Sequence, residues 1–172
     1  HPNIKESQAN KALIDAVSDM EGVAVFNLYE LSQEIAFNVD EWSKIISDAS
    51  AVIYQFPFYW MSAPSLLKKW QDEVFTFLSK TPAVAGKTLT VVTTTGSEYE
   101  AYRSGGRNRF TTDELLRPYQ VSAIHSGMSW QTPIVVYGMG TADAGKNIAE
   151  GANLYKQRVE MLIGSSNAGN NW

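Results

Sequence analysis

Ala51-Val52-Ile53-Tyr54-Gln55-Phe56-Pro57-Phe58-Tyr59-Trp60-Met61-Ser62 is the stretch that decides the fold class of this chain. Its first four residues form a continuous apolar run, short for a helix and not alternating, as in a parallel strand covered on both faces. Polar turn formers would ordinarily follow such a strand. Here Phe56, Phe58, Tyr59, Trp60 and Met61 follow instead, so flat apolar surface is kept where a turn should be.

Outward from this stretch the pattern repeats. Leu89-Thr90-Val91-Val92-Thr93 and Ile134-Val135-Val136-Tyr137 read as further buried strands, and Val23-Ala24-Val25-Phe26 as a fourth nearer an edge. Helical stretches run from Ser7 to Met20, Asp40 to Asp48, Ser65 to Leu78, Thr111 to Ile124 and Gly145 to Ile163. Strands alternating with helices predict right-handed crossovers and a doubly wound α/β sheet. Ser62 is expected to cap the third helix, with Pro64 in its first turn and Leu66, Leu67, Trp70, Val74 and Phe77 on one face. Pro118 predicts a kink or break near Arg117. Residues 1–164 read as one domain, and the Ser-, Asn- and Gly-rich residues 165–172 as a flexible tail.

Composition narrows the function. At 172 residues and 44% hydrophobic content the chain suits one domain with one core. A net charge of −4 with scattered Lys and Arg argues against a nucleic-acid partner. The absence of cysteine excludes disulfides, thiolate nucleophiles and cysteine-held metals, so any redox chemistry requires a borrowed cofactor. No apolar run reaches the roughly 18 residues of a membrane span, and a cytoplasmic location is expected. His125 lies on a helix with His1 as the other histidine, so it reads as structural and no metal site is expected.

Ligands of a doubly wound sheet bind beyond the carboxyl ends of its strands, and three segments sit there. His1-Pro2-Asn3-Ile4-Lys5-Glu6-Ser7-Gln8-Ala9-Asn10 opens a helix whose first amides and dipole favour an anion, a phosphate monoester above all. It lacks the glycine signatures of dinucleotide and triphosphate sites, and Ser7 could alternatively act as a helix cap alone. Gln55 to Ser62 suits a planar isoalloxazine or, alternatively, a subunit interface. Thr93-Thr94-Thr95-Gly96-Ser97 brings hydroxyls and backbone amides close to a ligand's polar edge. The first of these segments looks like a strand-to-helix loop with no strand before it. In the strand order 2-1-3-4-5 the absent strand would lie between strands 2 and 3, so about 5 to 10 preceding residues are expected, given ordinary strand lengths.

Several motifs in order resemble the NAD(P)H:quinone oxidoreductases of the flavodoxin-like class, including the small bacterial reductases and the ancillary oxidoreductases of potassium efflux systems. They are His1-Pro2-Asn3, Ser7 to Asn10, Gln55 to Met61, Leu66-Leu67-Lys68-Lys69-Trp70, Gly86-Lys87, Thr94-Thr95-Gly96, Leu115-Leu116-Arg117-Pro118 and Gly127-Met128. The resemblance implies a five-stranded flavodoxin-like sheet and FMN, rather than FAD, as cofactor. His1, Ser7, Gln8, Ala9 and Asn10 would hold its phosphate and ribityl chain. Pro57, Phe58, Tyr59, Trp60 and Met61 would frame the ring, and Thr94, Thr95, Gly96 and Ser97 would lie along its pyrimidine side. Ser97 replaces the family's usual second glycine, and the span Phe75 to Gly86 lacks an aromatic loop common in relatives.

The implied reaction is ping-pong hydride transfer from NAD(P)H to a quinone-like acceptor, with Tyr102, or in its place Tyr99, near the acceptor oxygen. Arg103, Arg107 and Arg109 either meet a dinucleotide phosphate or form a solvated loop face. A homodimer is expected from the same resemblance. Two other roles follow from it: an FMN-binding regulatory subunit of a potassium efflux transporter, and a flavodoxin-type electron carrier.

Overall fold

The computed structural model describes residues 1–31 and 36–169. Its centre is a parallel sheet. Strand β1 (Ala51–Pro57) pairs with β2 (Thr88–Thr94) in unbroken register from Ala51 opposite Thr88 to Pro57 opposite Thr94. On its other side β2 pairs with β3 (Ser129–Trp130) at Thr88 and Leu89, and with β4 (Ile134–Val136) from Val92 to Thr94.

Between Leu89 and Val92 the chain of β2 takes three steps, while between their partners Trp130 and Ile134 it takes four. One residue is therefore extra, as in a β-bulge, and Pro133 lies in the gap where a ladder donor would be missing. The Thr90 hydroxyl spans the gap by donating to the carbonyls of Gln131 and Thr132. Residues of β2 are almost wholly buried, with Leu89, Val91 and Val92 at 0% exposure.

Helices cover both faces. On one side lie α1 (Gln8–Asp15) and α8 (Ala144–Gly169), whose Leu13, Tyr155 and Val159 pack with Val92, Ile134 and Val136. On the other lie α3 (Val39–Asp48), α4 (Ser65–Trp70) and α7 (Arg117–His125), whose Trp42, Ile46, Leu67, Trp70 and Tyr119 pack with Tyr54, Phe56, Leu89 and Val91. The remaining helical pieces are short: α2 (Leu28–Leu31), α5 (Thr76–Leu78) and α6 (Thr112–Leu115). Between α4 and α5, Gln71–Phe75 winds as a π-helical segment, so the expected helix from Ser65 to Leu78 is continuous but locally widened.

Several boundaries differ from expectation. Val23–Phe26 forms no strand and has no ladder partner among the described residues: between it and the outer edge of β1 runs an apolar groove of about 630 Å³, lined by Val23, Val25, Ile53, Ile14 and Trp70 among others. A strand needs a neighbour to take up its amides and carbonyls. The first helix ends at Asp15, short of Met20. Pro64, not Ser62, stands at the N-cap of α4, with no side-chain cap. The break before α7 falls at Leu116, and Pro118 lies in the first turn, where no amide donor is needed. Helix α8 runs on through Gly169, so the expected flexible tail is helical over 165–169; residues 170–172 lie outside the described part. Among the described residues, no helix is long and apolar enough to cross a membrane.

Leu89 is the central test of this packing. Leu89→Ala should lower the unfolding free energy by about 2 to 5 kcal/mol through lost transfer energy and a residual cavity, read from the midpoint of urea denaturation. A change below about 1 kcal/mol, less than two buried methylene groups are worth, would contradict its placement.

Candidate functional site

The carboxyl ends of β1, β2 and β4 open onto a cleft of about 310 Å³, lined by His1, Ser7 to Asn10, Pro57 to Tyr59, Thr94 to Gly96, Met139, Ala144 and Ile148. The three segments singled out in the sequence thus meet in one place. A fourth, from the β4 to α8 connection, joins them and was not anticipated. Its signal was present in Gly138-Met139-Gly140, a glycine pair directly after a strand, the same punctuation that marked the Thr95-Gly96 turn.

Helix α1 begins at the cleft because Ser7, in extended conformation, accepts a hydrogen bond from the Asn10 amide at 3.2 Å. The Gln8 and Ala9 amides have no partner among the described residues and form the donor pair expected at a helix start. Asn10 is 2% exposed and locks the helix to the sheet: its Nδ2 donates to Thr94 Oγ1 at 3.1 Å, and its carbonyl accepts from Gln55 Nε2 at 2.9 Å. Asn10 Oδ1 is buried without a partner, a cost that a native protein rarely leaves unanswered. His1 contacts the opposite wall through its Nε2, 3.2 Å from the Tyr59 hydroxyl.

The turn after β2 is built in a particular way. Its carbonyls are all taken: Met139 N donates to Thr95 O, Gly140 N to Gly96 O and Gly138 N to Ser97 O, at 2.8 to 2.9 Å. The Thr95 amide donates to Val136 O and the Thr95 hydroxyl to Ser97 O. The Gly96 and Ser97 amides have no acceptor among the described residues. In this turn each carbonyl from Thr95 to Ser97 already accepts, while two amides do not donate. Thr93, one residue earlier, is fully buried with its hydroxyl donating to Phe56 O at 2.7 Å, and is structural.

The aromatic loop divides. Phe56 is core, while Pro57, Phe58 and Tyr59 line the cleft. Tyr59 and Ser62 exchange both backbone hydrogen bonds, at 2.8 and 3.0 Å, around Trp60 at φ +48° and Met61 at φ +62°. Positive φ at both central positions is the signature of a type I′ hairpin turn, normally Asn-Gly. Trp60 projects from it 98% exposed, and neither Trp60 nor Met61 lines the cleft. Ser62, no longer a helix cap, faces the Tyr119 hydroxyl, which also accepts from the Ala63 amide.

Tyr102 is 6% exposed, its ring edge-on to Phe58 at 6.1 Å and tilted against Tyr137 at 5.8 Å. Tyr99 is half-exposed, edge-on to Tyr137 at 5.3 Å, with the Arg103 guanidinium over its ring. Tyr137 shares a 2.6 Å hydrogen bond with the buried Thr112 hydroxyl, and burial holds its phenol above the usual tyrosine range. These rings wall the approach beside Phe58 without lining the cleft itself. His125 is exposed at the end of α7. Among the described residues, no group of three His, Asp or Glu could hold a metal ion.

Comparison with known proteins places this geometry in a family. The model of the flavodoxin-like fold family matches residues 1–159. The NAD(P)H oxidoreductase YdeQ of Bacillus subtilis is 36% identical over 166 residues, covering 94% of this chain and 84% of that protein. The glutathione-regulated potassium-efflux ancillary protein KefG of Serratia proteamaculans is 35% identical, covering 80% and 77%. Among solved structures, a thermophilic tryptophan halogenase from Streptomycin violaceusniger is 36% identical with TM-score 0.86, covering 92% and 94%. A general stress protein 14 from Treponema denticola in complex with FMN is 28% identical with TM-score 0.85, covering 94% and 95%.

The turn at Trp60-Met61 yields a direct test. Left-handed backbone costs a non-glycine residue about 1 to 3 kcal/mol, so replacing Trp60-Met61 by Asn-Gly should raise the unfolding free energy by about 1 kcal/mol or more. A loss of stability in urea denaturation would show that the two side chains hold the fold together.

Proposed function

The chain belongs to the family of proteins with the flavodoxin-like fold, and on that premise we propose that it is an FMN-dependent NAD(P)H oxidoreductase with a quinone-like acceptor. The observation that carries the reading is the donor pattern of the cleft: unpartnered amides at Gln8 and Ala9 on one side and at Gly96 on the other, with the unpartnered Ser97 amide next in the chain, just outside the lining. A phosphate monoester joined to a flat ring with an acceptor-rich edge matches both. The orphaned Oδ1 of Asn10, a residue of the cleft lining, suits a hydroxyl of a linking chain. The relative bound to FMN and the relative named for NAD(P)H oxidation support the same choice.

In this reading Ser7 to Asn10 and His1 hold the phosphate, as backbone donors at a helix start do for anions. Phe58 and Tyr59 press on the ring, Thr94 to Ser97 orient its pyrimidine edge, and Met139 and Ile148 close the apolar side. FMN held there would supply the hydride chemistry between NAD(P)H and the second substrate. Tyr102, whose ring packs between Phe58 and Tyr137, is the phenol proposed to assist at the acceptor oxygen; Tyr99 is the more exposed alternative. The contiguous exposed side chains of Tyr59, Trp60 and Met61 support a homodimer as part of the proposal, since a joined apolar patch suits a partner surface. Likeness to KefG favours one second reading, an FMN-binding regulatory subunit docked on a potassium efflux transporter.

Steady-state oxidation of NADH and NADPH by the FMN-loaded protein, with and without a benzoquinone, tests the proposal. Quinone-dependent turnover is expected. Protein that binds FMN yet shows no turnover with any nicotinamide would favour the regulatory reading.

Gln8→Glu isolates the phosphate contact. A carboxylate in the first turn favours the α1 dipole and leaves the fold intact, but repels a phosphate at the same amides. FMN affinity should fall at least tenfold, about 1.4 kcal/mol, with no loss of thermal stability in the unloaded protein. Unchanged affinity by fluorescence titration would remove the phosphate from this position.

A further inference from the structure

Ser97 and Arg107 form a pair that the cleft geometry does not explain. The guanidinium of Arg107 donates to Ser97 Oγ and lies 3.8 Å from a carboxylate oxygen of Glu98. Its backbone is fixed, not loose: Gly106 N donates to Arg103 O, Asn108 N to Ala101 O and Arg109 N to Gly106 O, at 2.8 to 3.0 Å. Gly106 has no space for a side chain, since a Cβ there would fall 2.1 Å from the Glu100 carbonyl oxygen. The loop thus folds back on Glu100 and Ala101 and delivers one permanent positive charge to the turn after β2.

In that turn the carbonyls are already engaged, while two amides are not. With the carbonyls of Thr95, Gly96 and Ser97 consumed by the Gly138 to Gly140 amides, the Gly96 and Ser97 amides form a local positive edge. Arg107 adds a full charge to the same edge, with Glu98 as its partial counterweight. An edge of this kind binds a ligand more tightly when the ligand gains negative charge.

We propose that Arg107, anchored by Ser97, raises the reduction potential of the bound flavin by stabilising its reduced form. The inference rests on the FMN reading above. Two electrons and one proton reach the ring as a hydride while NAD(P)H becomes NAD(P)⁺. Unless a second proton follows from solvent, the remaining negative charge resides on the pyrimidine edge, and that charge is what Arg107 and the two amides attract. Ser97 supplies the hydroxyl that holds the guanidinium in place.

The test is a dye-referenced reductive titration of FMN-loaded wild type, Arg107→Gln, Arg107→Lys and Ser97→Gly. In Arg107→Gln the reduced flavin should bind about three- to tenfold more weakly relative to the oxidised form. This corresponds to a midpoint lower by about 15 to 30 mV, tenfold being about 30 mV for two electrons. Ser97→Gly should shift in the same direction by less, and Arg107→Lys should recover part of the loss. Because the guanidinium is solvent-facing, the difference between wild type and Arg107→Gln should narrow at high salt. An Arg107→Gln protein that binds oxidised FMN as tightly as wild type, with an unchanged potential, overturns the proposal. Failure of the wild-type protein to bind FMN at all overturns the functional reading beneath it instead.

Discussion

Three short hydrogen bonds, from the Gly138, Met139 and Gly140 amides to the carbonyls of Ser97, Thr95 and Gly96, set the character of the site. They continue the pairing of β2 and β4 past the end of the sheet, and in doing so they engage each carbonyl from Thr95 to Ser97. The Gly96 and Ser97 amides are left without an acceptor among the described residues. A parallel sheet makes this possible because its strands all end on the same side, so two loops from neighbouring strands can lace together there. The same carboxyl edge receives the start of α1, held by Asn10 against Thr94 and Gln55. Donor groups from two separate stretches of chain, the start of α1 and the turn after β2, therefore converge on the cleft.

The aromatic loop is organised by a second constraint. Tyr59 and Ser62 close a two-residue turn that would be relaxed with Asn-Gly, yet it carries Trp60 and Met61. Strain of this kind persists when the side chain placed by it has a use elsewhere. Here the backbone turns the Trp60 indole outward while keeping Phe58 and Tyr59 inward. One face of the loop serves the cleft and the other is left for a surface contact.

Much of this was legible because the signals were local. The β1 and β2 strands read directly as apolar runs, and the loops after them as places where the usual turn chemistry was absent. The Ser7 cap and the start of α1 were likewise visible in four residues. What was not legible depended on partners remote in sequence. Val23–Phe26 has strand composition, but pairing is a property of two segments, and its neighbouring position is a groove. Met139, Ala144 and Ile148 have no motif beyond a glycine pair; only the register of β2 with β4 brings them to the cleft. Trp60 was expected against the ring because aromatic character was readable, whereas the positive φ values that turn it outward were not. Helix α8 outlasts its apolar pattern through a stretch rich in Ser, Asn and Gly, against the usual propensities. The sequence offers no reason for that extension.

In the proposed function a phosphate meets the first amides of α1 and a flat ring meets the turn at Gly96. Parallel fluorescence titrations of the protein with FMN and with riboflavin, which differ by that phosphate alone, measure the phosphate contact. FMN should bind at least about a hundredfold more tightly, corresponding to about 2.7 kcal/mol or more at the helix start. Equal affinity for the two flavins, or no binding of either, would contradict the assignment of this cleft.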